Sequence, residues 1–171
     1  IEFEKDPKSV SKLKSYDGVV VPGGFGSRGI EGKIAAIEYV RKNKIPYLGL
    51  CYGMQLAVIE YARHVAGIKG ATSRELDSKS GECVIDVMDS QKEKLKKEEY
   101  GGSMRLGSYE CYLKKGSIAK SLYKAPMVLE RHRHRYEVNP LFIERLEAKG
   151  LIFSGVSPDG TLMEITELPL S

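Results

Sequence analysis

The chain has no tryptophan, and its 171 residues include only three cysteines and four phenylalanines. An odd, irregularly spaced set of cysteines excludes a disulfide framework and predicts a reducing, cytoplasmic setting. No apolar run approaches the ~20 residues of a membrane helix, and the first residues do not read as a secretion signal, so no membrane is expected. Charge of one sign is barely in excess, with 27 Lys and Arg against 23 Asp and Glu. The basic residues are scattered, so nothing asks for nucleic acid. Internal repeats and low-complexity segments are also lacking. What remains, 42% hydrophobic and 29% charged, is the composition of one globular domain with a buried core, spanning 1–171.

Along the chain, Asp17-Gly18 predicts a turn and Val19-Val20-Val21 a short buried strand. Residues 30–43 carry Ile34, Ile37, Tyr39 and Val40 at helical spacing, 45–50 reads as a second strand, and a second helix runs from Cys51 to about Ala66, stopped by Gly67. Strand, helix, strand, helix with short connections predicts an α/β fold: a mostly parallel central sheet with helices on both faces. Residues 71–76 read as loop and 83–88 as strand. The highly charged 91–99 reads as an exposed loop or helix, since its acids interleave with its lysines. The C-terminal half is rich in strand formers at 104–107, 109–113, 127–130 and 136–138. A short amphipathic helix follows at 141–149, then a hairpin of 151–155 and 162–166 around Pro158-Asp159-Gly160, which predicts an antiparallel region.

The chemistry is concentrated at Gly49-Leu50-Cys51-Tyr52-Gly53-Met54-Gln55. An apolar strand ends at a cysteine between two glycines and a helix starts at once, the thiol form of a nucleophile elbow. The glycines admit a strained corner, and the N–H groups and dipole of the helix start favour thiolate over thiol and can hold an oxyanion. The competing reading is a buried core cysteine; the glycines on both sides favour the nucleophile. Upstream, Gly24-Phe25-Gly26-Ser27-Arg28-Gly29 matches a dinucleotide-binding loop, but the acidic residue needed for the ribose is absent from the end of the second strand. The loop fits better beside the elbow, where the Gly24 N–H joins that of Tyr52 in an oxyanion hole.

Together these strings resemble the class I glutamine amidotransferase domain of the CTP synthase family. The elbow is shared by many class I amidotransferases. More specific are Pro22 to Gly29 with Glu31-Gly32-Lys33, the string Gly101-Gly102-Ser103-Met104-Arg105-Leu106-Gly107, and Glu130-Arg131-His132-Arg133-His134-Arg135-Tyr136-Glu137-Val138-Asn139. The likeness runs from about Asp17 to Glu167 and implies a flavodoxin-like fold. It implies hydrolysis of L-glutamine through a γ-glutamyl thioester. The ammonia would pass to a separate synthetase domain that uses ATP and Mg²⁺ to convert UTP to CTP. No cofactor is implied for the glutaminase domain itself and no metal site; GTP is implied as an effector and oligomerisation as a property of the whole enzyme. By the resemblance Cys51 is the nucleophile, Gly24 and Tyr52 donate the oxyanion N–H groups, and Gly53 and Met54 line the substrate. Gln55, Glu75 and Arg135 hold its amino-acid end. A zwitterion needs one carboxylate and one cation, and Glu75 and Arg135 supply one of each. Position 52 is often leucine in the family; only its backbone is expected to matter.

A thiol nucleophile of this kind needs a base. In the family it is the histidine of a His-Pro-Glu string following the segment that matches Glu164-Ile165-Thr166-Glu167, and the sequence ends at Ser171 before such a string. His64 is thirteen residues along the helix from Cys51, about 20 Å away at 1.5 Å per residue. His132 and His134 share one face of an extended segment with Tyr136, which fits a metal pair or an anion-binding strip; with no third ligand evident, a structural or substrate-loop role is favoured. The family domain also opens with a further strand and helix, so the expectation is a domain incomplete at both ends. Three readings follow: a glutaminase, a catalytically silent glutamine-binding or regulatory module of the same fold, and another class I amidotransferase or thiol hydrolase. Cys83 and Cys111 read as structural, and Arg28, Lys33 and Arg105 as solvated or facing a partner.

Overall fold

The computed structural model describes residues 2–87 and 105–169. The charged 91–99 segment and the stretch 101–104 lie outside the described residues. The chain divides into two compact units, Ile1–Val84 and Ile85–Ser171.

The first unit opens with a short helix, α1 (Glu2–Lys5), and a 3₁₀ segment (Pro7–Ser15) capped by Asp6, whose side chain accepts the Lys8 N–H. The sequence pattern did not predict either, because their apolar residues are sparse. The β-branched run Val19–Val21 forms β1, and Tyr47–Gly49 forms β2. They pair in parallel, Val19 opposite Tyr47 and Val21 opposite Gly49. The connection is α2 (Ile30–Lys42), whose Ile30, Ile34, Ile37 and Val40 form one buried face. That face packs on α3 (Tyr52–His64), where Leu56, Val58, Ile59 and Ala62 are fully enclosed. Leu56, Val58 and Ile59 each contribute about 1.5–3 kcal/mol by leaving water. Arg41 of α2 grips Glu60 of α3 through both carboxylate oxygens, at 2.9 and 2.7 Å. β3 (Thr72–Ser73) is a two-residue strand inside the segment read as loop. It pairs with β4 (Cys83–Val87), whose five residues are all buried.

In the second unit β4 pairs antiparallel with β7 (Tyr136–Val138). A four-stranded antiparallel sheet is built from β5 (Arg105–Leu113), β6 (Met127–His134), β8 (Ile152–Val156) and β9 (Met163–Glu167), in the order β6-β5-β8-β9. Where the sequence pattern gave two short strands, β5 is continuous through Gly107, whose φ of +117° only glycine adopts easily. Likewise β6 runs four residues past Glu130, in register with β5 from Tyr112↔Met127 to Arg105↔His134. Cys111, Leu113 and Ala119 form an apolar cluster with Val128 and Ile165. Ala119 belongs to α4 (Ile118–Tyr123), a helix that sequence periodicity missed because it is six residues long. Its first N–H groups are held by Ser117 and by the Glu167 carboxylate. α5 (Pro140–Glu147) is capped by Asn139 and buries Leu146. The β8–β9 hairpin turns at 158–160 as expected, with Asp159 accepting from Ser157 and Thr161. The fold is α/β with parallel pairing at β1–β2 and antiparallel pairing through the second unit.

Candidate functional site

At the end of β2 the backbone reverses into α3 at Cys51, which takes φ +53° and ψ −104°. That conformation costs a non-glycine residue about 1–3 kcal/mol and persists only where its surroundings enforce it. Here they do. The Leu50 N–H donates to the Val21 carbonyl, the Gly53 N–H to the Leu50 carbonyl and the Gln55 N–H to the Cys51 carbonyl. The Tyr47 hydroxyl donates to the Gly53 carbonyl at 2.8 Å, and burial holds that phenol protonated well above its ordinary range. Both flanking glycines are obligatory. A Cβ on Gly49 would lie 2.7 Å from the Gly53 carbonyl carbon, and one on Gly53 would lie 2.1 Å from the Val21 oxygen. Cys51 is exposed at the N-terminus of a 13-residue helix, as a nucleophile requires, and forms no disulfide. Cys83 and Cys111 are buried, and burial pushes the Cys111 thiol up to about 11.

The glycine-rich loop lies against the elbow. A Cβ on Gly23 would sit 3.6 Å from the Cys51 Cβ, and one on Gly24 would sit 3.5 Å from the Tyr52 ring. Within the loop Gly26 (φ +77°) is held at both ends. Its N–H donates to Glu75 Oε1 at 2.8 Å, and its carbonyl accepts the Tyr52 hydroxyl at 2.6 Å. The structure therefore joins Gly24, Cys51, Tyr52 and Glu75 in one place, although Glu75 is 49 residues from Gly26 in sequence. Gln55 is 7% exposed on the first turn of α3, beside half-buried Met54. Sequence reasoning gave Tyr52 a backbone role only. Its side chain is in fact 2% exposed, bonded to the loop and faced by Lys33, whose Nζ is 5.5 Å from the ring centroid. Burial, with the nearby Glu75 charge, pushes the phenol up to about 12, so it remains a donor. Tyr47 and Gly23 were not singled out; no local pattern marks a tyrosine at a strand end as an anchor.

In the second unit Arg135 is the half-buried bend residue between β6 and β7. Arg105, read from sequence as solvated or facing a partner, is instead 11% exposed and bridges two buried carboxylates. Its guanidinium reaches Glu137 at 3.1 Å and Glu164 at 2.8 Å, and stacks on Tyr109 at 4.5 Å. His132 Nδ1 meets His134 Nε2 at 3.1 Å, and His134 Nδ1 meets Glu137 at 3.2 Å. His132 Nε2 is 3.2 Å from Glu164 Oε2 but is not aligned with it as a hydrogen bond. Of the roles open to these histidines, this places them in a structural ionic cluster. His64 pairs with Glu60 at 3.0 Å. Among the described residues Glu38, Glu60 and His64 lie close enough to share a cation, but Arg41 and Lys42 already compensate the two carboxylates.

The sequence pattern described as "Glutamine amidotransferase class-I" matches residues 2–170. The chain is 54% identical over 167 residues to a CTP synthase of Methanococcoides burtonii, covering 98% of this chain and 30% of that one. It is 59% identical over 156 residues to a CTP synthase of Caldanaerobacter subterraneus subsp. tengcongensis, covering 91% and 28%. The chain thus spans under a third of the length of these curated relatives. Among solved structures it is similar to the glutaminase domain of Trypanosoma brucei CTPS with bound acivicin, at 41% identity and a TM-score of 0.86, covering 94% of this chain and 61% of that one. A family pattern matched along nearly the whole sequence agrees with a strained cysteine turn that only its two glycines permit, and the chain belongs to the class-I glutamine amidotransferase family.

Proposed function

We propose that this chain is the ammonia-producing unit of a CTP synthase. The Cys51 sulfur, at the positive end of α3, attacks the γ-carboxamide carbon of L-glutamine. The oxygen of the tetrahedral intermediate takes hydrogen bonds from the Gly24 and Tyr52 N–H groups. The C–N bond then breaks, ammonia leaves with the proton it has gained, and water hydrolyses the γ-glutamyl thioester to glutamate. Gly53 and Met54 line the substrate, Gln55 and Glu75 hold its amino-acid end with Glu75 on the ammonium, and Arg135 takes the carboxylate. Proton transfer falls to the histidine–carboxylate pair that the family carries after the segment matching 164–167. Glutamine and water balance this half-reaction, which calls for no cofactor.

Ammonia then passes to a synthetase part with sites for ATP, Mg²⁺ and UTP. GTP is the effector of glutamine hydrolysis, the whole enzyme is the oligomer, and the setting is cytoplasmic. The observation that carries the reading is the exposed Cys51 at φ +53° on a helix N-terminus, with the glycine loop against it. The similar Trypanosoma brucei glutaminase domain was solved with bound acivicin, which supports small-ligand binding by this domain.

The test is ammonia release from L-glutamine by the full-length protein that carries this chain, with Cys51→Ala as control. Release that is lost in the variant is expected. Folded protein that binds glutamine but releases nothing would replace the reading with a silent glutamine-binding module. A functional synthetase partner making CTP with glutamine, but not when Cys51→Ala replaces the chain, would extend the reading to the whole reaction.

A further inference from the structure

Gly26 connects two parts of the elbow site. Through its N–H it is tied to Glu75, the carboxylate assigned to the substrate ammonium, and through its carbonyl to the Tyr52 hydroxyl. Two residues before it is Gly24, the second oxyanion donor, whose Cα faces the Tyr52 ring. Among the described residues the loop has little else to fix it: Phe25 is 88% exposed, and both Gly26 and Gly29 adopt positive φ, where glycine leaves the backbone soft. The phenol, by contrast, is anchored. Its ring is buried at the start of α3, one residue from Cys51, so the hydroxyl moves with the nucleophile.

We propose that the Tyr52 hydroxyl is a positioning group that ties the oxyanion arm at Gly24 to the Cys51 elbow. This rests on the glutaminase reading for its catalytic consequence. Tyr52 thus contributes twice, by its backbone N–H at the oxyanion and by its side chain on the loop that carries the other donor. A misplaced donor weakens the transition state without weakening ground-state binding, so the effect falls on kcat.

The experiment compares wild type with Tyr52→Phe, which keeps the ring and loses only the hydroxyl. Three quantities are read: kcat and KM for ammonia release from L-glutamine, hydrogen exchange of the 24–29 amides, and alkylation of Cys51 by iodoacetamide, which forms no oxyanion. The expected result is a kcat lowered on the order of 10-fold, an unchanged KM, faster exchange confined to the loop, and unchanged alkylation. Unchanged kcat and exchange would overturn the proposal. Alkylation and kcat falling together would also overturn it, since the hydroxyl would then support the elbow as a whole. If wild type, assayed as the full-length protein that carries this chain, releases no ammonia, the glutaminase reading fails. The exchange comparison then decides alone: loop amides equally protected in both proteins overturn the tie.

Discussion

At the elbow the reactive geometry is made by backbone: two glycines, a residue at φ +53° and short N–H···O=C contacts hold Cys51 out at a helix end. At the cluster of Arg105, Glu137, Glu164, His132 and His134 the order is made by side chains: an arginine of β5 between carboxylates of β7 and β9, with two histidines of β6 beside them. The first arrangement fails when an atom is added. The second fails when a charge is removed. They also differ in reach along the chain, since the elbow's corner spans five residues while Arg105 and Glu164 are 59 apart.

The sharpest test of that contrast is the smallest possible addition at the elbow. Gly53→Ala places a methyl group 2.1 Å from the Val21 oxygen, a backbone atom at the end of β1 that has no room to yield. Glutamine hydrolysis is expected to fall to the Cys51→Ala level, and urea unfolding to show a loss on the order of 3–5 kcal/mol. Near-normal activity in Gly53→Ala would break the claim that backbone space defines this site.

The same difference in reach explains what was legible in the sequence. The elbow could be read because its requirements are local: strand, glycine, cysteine, glycine, helix. The β8–β9 hairpin could be read for the same reason, through Pro158-Asp159-Gly160. Arg105 could not. Its string gave no sign that two carboxylates from later strands would enclose it, and solvation is the ordinary state of an isolated arginine. Glu75 was legible only through resemblance, because the contact that gives it meaning is with Gly26, 49 residues away. Tyr52 was half legible: its position beside Cys51 was evident, while its bond to the Gly26 carbonyl depends on how the loop folds back. The α4 helix escaped because six residues are too few to display a period, and the 3₁₀ segment because its apolar residues are sparse.

Next in size is removal of charge from the cluster. Arg105→Met leaves Glu137 and Glu164, whose side chains are 3% and 1% exposed, without their guanidinium. A loss of about 3–5 kcal/mol is expected from urea unfolding, because each carboxylate is then buried uncompensated. Adding Glu137→Gln and Glu164→Gln to the same protein should return a large part of that loss. If Arg105→Met alone is neutral, or the triple variant is no better than the single one, the cluster is not held by charge compensation.

The smallest expected effect is a pH dependence carried by His132. Burial pushes its pKa below the ordinary histidine value, against the opposing pull of Glu164, while His134 and Arg105 lower it further and Glu137 raises it. An unfolded chain protonates this histidine near pH ~6.5, whereas the folded protein resists until lower pH. Below about pH 6.5 the unfolded state therefore binds more protons at this site, and the stability His132 contributes declines as pH falls toward its folded pKa. Urea midpoints for wild type and His132→Gln, taken from about pH 7.5 to 5.5, isolate this contribution from the other titrating groups. The gap between the two proteins should narrow as the pH is lowered. A gap that widens would mean that the folded cluster protonates His132 more readily than the unfolded chain does, and a constant gap that burial does not shift it. In the first case the ionic network would include a second positive charge, and its balance would differ from that of one arginine between two carboxylates.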